Sequence, residues 1–190
     1  MNRLWCVITV CLLCVIASPA VWAEDTPQAA DTSMVHIKAI SWEKLAACLP
    51  ASLEGFETGE DDGGTMNMPN PEDPSHSLSY SVIEREYSND DKSIHLEIMD
   101  SGLNQLLLAP FMMTMEFDGP DQTIKNAEFA GNPAKLVLNK EDGKVRTAQY
   151  LVLVADRLLM AAEGNENVSS DEIKAALEKV DFAKLAELVK

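Results

Sequence analysis

In Ser93-Ile94-His95-Leu96-Glu97-Ile98-Met99, the branched apolar side chains Ile94, Leu96 and Ile98 alternate with Ser93, His95 and Glu97. A repeat of two puts one set on a buried face and the other toward water, so the stretch predicts a strand. Residues 78–87 have the same β character, and Ser88-Asn89-Asp90-Asp91 between the two has the composition of a turn. Together they predict an antiparallel hairpin. Asp100-Ser101-Gly102 ends its second strand. Residues 103–115 then have the length and the Leu and Met content of a mainly buried helix, interrupted or kinked at Pro110.

The second half repeats the theme. Strands are expected over 123–129, 134–139, 145–154 and 158–162, separated by Gly131-Asn132-Pro133, Asp142-Gly143 and Asp156-Arg157. Tyr150-Leu151-Val152-Leu153-Val154 is apolar throughout, as a central strand covered on both faces should be. Helices are expected at both ends. Ser41 is a natural N-cap for a helix through Leu49, which Pro50 closes. Near the C-terminus, Ser169 and Glu172 have capping-box spacing and Ile173, Leu177 and Val180 form one stripe. A last short helix from Asp181 presents Phe182, Leu185 and Leu188. Between the first helix and the hairpin, residues 57–74 mix Gly, Pro and acids, which predicts a long exposed connection whose shortening costs little. The expected fold is therefore α+β: an antiparallel β-sheet covered by helices, in the order α-β-β-α-β-β-β-β-α. No repeat of fixed period appears, which excludes a solenoid or propeller.

The chain opens with an export pattern. Met1-Asn2-Arg3 supplies the positive start, the apolar run that follows is short for a bilayer, and Val21-Trp22-Ala23 fits the small-residue rule of signal peptidase. Residues 1–23 are expected to be a signal peptide, 24–34 a flexible tether, and 35–190 one domain. None of Cys6, Cys11 and Cys14 follows a small residue in lipoprotein fashion, so no membrane anchor is expected after cleavage. All three leave with the signal, and Cys48 alone remains, ruling out an internal disulfide. Cys48 is expected to be a small buried hydrophobe; its alternative use is a disulfide to a second copy, so the protein is expected as a monomer or a Cys48-linked dimer.

A hydrophobic fraction of 46% with 24% charged residues places the chain among globular proteins. Its net charge of −16 repels phosphate backbones and anionic membrane surfaces, which disfavours nucleic acid and lipid headgroups as partners. Motifs for chemistry are sparse. Ser41-Trp42-Glu43-Lys44 has the Ser-x-x-Lys spacing of penicillin-recognising enzymes but no companion motifs, and helix capping explains Ser41. His95-Leu96-Glu97 imitates the His-x-Glu of zinc deaminases without the Pro-Cys-x-x-Cys partner, and alternation puts both side chains on one strand face. His36, His76 and His95 show no i, i+4 pairing of the kind zinc sites on a helix use. There is no Gly-x-Ser-x-Gly, no P-loop and no dinucleotide fingerprint, so neither a catalytic residue nor a cofactor is assigned. For a metal, the candidates are Glu60, Asp61 and Asp62, whose carboxylates suit a hard cation such as calcium, and Met66 and Met68, whose thioethers suit copper. Met112-Met113-Thr114-Met115 invites the same copper reading, with space-filling in an apolar helix as the alternative.

Leu49-Pro50, Leu53-Glu54-Gly55-Phe56, the Ser and Tyr strand from Ser81 to Tyr87, and Ile98-Met99-Asp100-Ser101-Gly102 resemble the pattern of a set of uncharacterised bacterial periplasmic proteins. In element order, residues 35–188 are also similar to the PsbP-like α/β/α sandwich, a resemblance that implies assembly or binding without catalysis. The function expected from the sequence is that of an exported, soluble periplasmic binding or assembly module with an unidentified protein or small-ligand partner. A cation-binding module and a small hydrolase are the alternatives.

Overall fold

A computed structural model describes residues 38–69, 77–100, 111 and 116–190. Eight strands form one sheet: β1 (Glu57–Pro69), β2 (Ser77–Asn89), β3 (Lys92–Asp100), β4 (Phe117–Asp118), β5 (Gln122–Phe129), β6 (Asn132–Glu141), β7 (Lys144–Val154) and β8 (Leu158–Gly164). Their spatial order is β1-β2-β3-β8-β7-β6-β5-β4, and every neighbouring pair is antiparallel. Two meanders, β1–β3 and β4–β8, are thus joined through β3 and β8. The described helices are α1 (Trp42–Ala46), α2 (Ser170–Leu177) and α3 (Phe182–Leu188). The architecture is α+β, mostly antiparallel sheet with a few short helices.

Register divides the sheet into two faces. Ile83 and Tyr87 of β2 lie opposite Ile98 and Ile94 of β3, which lie opposite Met160 and Gly164 of β8; Val152 of β7 continues the row beyond Met160. Leu45 and Leu49, with Ile173, Leu177 and Leu185, pack with these side chains into one core, so all three helices cover this face. Ile83, Leu96, Ile98, Val152 and Met160 are fully buried there. Burial on this scale, about 25 cal/mol per Å² of apolar surface, is what holds short helices that would not persist alone.

Two expectations need correction. Residues 57–74 were expected as a loop, yet residues 57–69 form the edge strand β1, paired along β2 with one bulge between Thr58 and Asp61. Acids are tolerated because an edge strand leaves one side to water, and charge there discourages pairing with another chain. Gly63 serves packing: a Cβ on it would sit 2.7 Å from Trp42 Cε3 and 2.9 Å from Ile83 Cδ1, so α1 rests directly on the strand backbone. Secondly, α1 ends at Ala46 and turns through Leu49, and Ser41 makes no side-chain cap. Thr65 Oγ1 of β1 accepts from Trp42 N instead (3.1 Å) and pairs with Ser81 Oγ (2.7 Å). The described helices all lie on one face of the sheet. The helix expected over 103–115, with its Met cluster, falls outside the described residues except for Phe111, which is helical.

Other expected features are present in the structure. Ser169 Oγ accepts from Glu172 N and Glu172 Oε2 accepts from Ser169 N, a complete capping box. Asp142 and Gly143 both take positive φ, as the two-residue turn joining β6 to β7 requires. Val152 and Leu153 are buried on opposite faces of β7.

Candidate functional site

The sequence candidates for metal binding do not converge. Asp61 faces α1 and is held by Arg85, whose Nε and Nη2 donate to Oδ1 and Oδ2 at 2.5 and 2.8 Å. That bidentate grip keeps the Asp61 carboxyl below its usual range. The same guanidinium donates through Nη1 to Pro50 O (2.9 Å), and Tyr87 OH donates to that oxygen as well (2.5 Å). Asp61 is therefore a tie between β1, β2 and the end of α1. Glu60 and Asp62 are exposed, as is Met66 at 54%, while Met68 pairs through its backbone with Leu78. Among the described residues, no group of three or more His, Cys, Asp or Glu side chains is placed to hold a metal ion. Cys48 is 2% exposed, its Sγ donates to Lys44 O at 3.6 Å, and burial raises its pKa. A disulfide to a second copy would require the turn after α1 to open.

A buried polar pair elsewhere is structural. Asp100 at the end of β3 is fully buried and accepts from Arg157 Nε (3.1 Å), Arg157 Nη2 (2.7 Å) and Ile40 N (2.8 Å). Arg157 Nη2 also donates to Lys38 O (2.9 Å). This pair pins the segment before α1 to the β7–β8 turn.

The constellation that stands apart lies on the other face, in the middle of β2, β3 and β8. Alternation along β3 sends His95, Glu97 and Met99 there. Register sets Glu86 and Glu163 on either side of His95, and Glu84 and Ala161 on either side of Glu97. His95 Nδ1 donates to Glu84 Oε1 at 2.9 Å, and Nε2 lies 3.6 Å from Glu86 Oε1. The Glu84 bond raises the His95 pKa and lowers that of Glu84. Among the described residues Glu97 has no such partner: burial, with the charges of Glu84 and Glu163, pushes its carboxyl up to about 7. Burial also raises Glu163, and pushes the Tyr80 hydroxyl up to about 12 with the charge of Glu97 adding to it. Val82, Met99 and Leu159 border the cluster, each partly buried, while His95, Glu84 and Glu86 keep side-chain exposures of 30, 42 and 44%. With both ring nitrogens turned to carboxylates, His95 is not set to activate a hydroxyl or thiol.

The expectation of a solvated strand face for His95 and Glu97 is thus only half the arrangement. That both share a face was legible from alternation; that Glu84, Glu86 and Glu163 join them depends on strand register. A separate hollow of about 490 Å³, lined by Gly55, Phe56, Glu57, Ser88, Asn89 and Asp90, contains no imidazole or thiol.

Fold and site together define an antiparallel α+β domain with a carboxylate-rich, histidine-centred face. No family model matches the chain, and no curated protein sequence matches it. Among solved structures, the chain is similar to the extracellular domain of PknH from Mycobacterium tuberculosis, with a TM-score of 0.43 and 6% identity over 77% of this chain and 97% of that one. Among the described residues, no helix is long and apolar enough to cross a membrane.

Proposed function

We propose that this protein is an exported periplasmic binding module without catalysis of its own, and that it holds a positively charged ligand or partner segment on the β2–β3 part of the second face. The observation that carries this reading is the partly exposed Glu84, Glu86, His95, Glu97 and Glu163 cluster bordered by Val82, Met99 and Leu159. Convergent polar groups within an apolar surround are the usual make-up of a ligand surface. Opposed carboxylates in mid-sheet weaken the fold, and such departures from local stability concentrate at functional sites. The export pattern and the resemblance to PsbP-like assembly modules agree with it.

The test is an amide NMR titration of the exported protein with a lysine-rich peptide, calcium and copper in turn. Binding should perturb amides of β2, β3 and β8 and be lost in Glu84→Gln/Glu86→Gln. Perturbation confined to β1 would favour the cation-binding alternative at Glu60 and Asp62. Ester hydrolysis abolished by His95→Gln would establish the hydrolase instead. Mass spectrometry of the same sample should find an N-terminus at Glu24, as the pattern ending at Ala23 implies.

A further inference from the structure

Every titratable group that faces Glu97 from the surrounding strands is either acidic or His95. Glu84 lies directly across on β2, with Glu86 beside it; Glu163 lies diagonally on β8; Asp62 of β1 is in register with Glu84; Tyr80 lies further along β2. On β7 the residue next to Glu163 is the neutral Gln149, and Lys135 on β6 is three strands from Glu97 and donates to Asn126. One imidazole thus serves five carboxylates, and it is bonded to Glu84 rather than Glu97. Like charges directly opposite in a ladder repel, and a proton shared between them removes the repulsion.

Resting on the reading of this face as the binding surface, we propose that Glu97, opposed to Glu84 and flanked by His95 and Glu163, is a proton-operated switch that sets how strongly the face holds a cationic ligand. On mild acidification Glu97 takes up a proton, the face loses one negative charge, and the proton displaces the ligand's positive group. Above neutral pH the carboxylate is restored and the face holds the ligand. The raised Glu97 and His95 values fit this arrangement, and both come from the same geometry.

Carboxyl NMR on the full mature chain reads the switch directly and needs no variant to fold. One glutamate should titrate near neutrality, and Glu97→Gln should remove that signal. Glu84→Gln should shift its midpoint downward. If every glutamate titrates in the ordinary range, or Glu84→Gln leaves the midpoint in place, the switch is overturned. A lysine-rich peptide should bind several-fold more weakly at about pH 5.5 than at about pH 8, a difference that Glu97→Gln should lessen, leaving only the part due to His95 and Glu163. A near-neutral Glu97 midpoint without peptide binding at either pH sinks the binding reading, and the switch with it. Peptide binding with an ordinary midpoint overturns the switch alone.

Discussion

Arg157 and Asp100 show how one buried pair can carry several connections. The Asp100 carboxylate takes two donors from Arg157 and one from the backbone of Ile40. Removing either partner leaves the other charge buried and uncompensated, a loss of about 3–5 kcal/mol. Asp100→Ala and Arg157→Ala should each lower the unfolding free energy by that amount, and the double variant should cost much less than their sum. Urea melts of the three variants check both statements. Val152 makes a different case, being apolar and fully buried beneath the helices. Val152→Asp should cost several kcal/mol, as a carboxylate without a partner in the core must; soluble expression with an unchanged melting temperature would contradict it. The run from Tyr150 to Val154 announced that burial in the sequence. The Asp100–Arg157 pair was not legible, because Asp100 read as a strand ending and Arg157 as part of a turn.

Among the elements, β2 and β3 were readable because alternation and turn composition are local signals. Strand β1 was not, since Glu60, Asp61, Asp62, Gly63 and Gly64 carry no apolar alternation; its strand identity comes from pairing with β2 and from Trp42 lying on Gly63. The candidate cluster was hidden for a similar reason, as His95 and Glu97 are neighbours in sequence while Glu163 reaches them only through the β3–β8 pairing. If β1 is an integral strand, deleting residues 60–71 removes the Asp61–Arg85 tie and the seat of α1. The loss should exceed about 2 kcal/mol, where a loop would have cost only closure entropy. Gly63→Ala is the finer probe: with Trp42 and Ile83 in the way, overpacking should destabilise by about 1–3 kcal/mol. Thermal melts of both variants decide between strand and loop.

For the whole molecule, the two kinds of shifted group pull stability in opposite directions along the pH scale. Glu97, raised from 4.5 to about 7, binds more protons folded than unfolded across that window, so stability grows as pH falls through it. His95 is also raised, and its contribution is full below 6.5 and lost as pH climbs through the folded value. Asp61, Glu84 and Glu172 are lowered, so their contributions stand above the unfolded carboxylate range and disappear as pH falls through the folded values. The melting temperature should therefore peak on the mildly acid side, at about pH 5–6, and decline toward pH 8. A scan of melting temperature against pH checks this. Topology has a consequence on another axis, that of time. Strand β3 is complete at Asp100, but its partner β8 begins only at Leu158. A chain emerging N-terminus first presents the inner edge of β3, with its Ile94, Leu96 and Ile98, before any strand exists to close it. Pairing across so long a separation in sequence is slow, and an open edge invites other chains. The first meander must wait, held apart from its copies, until the last strand arrives to take the central place beside it.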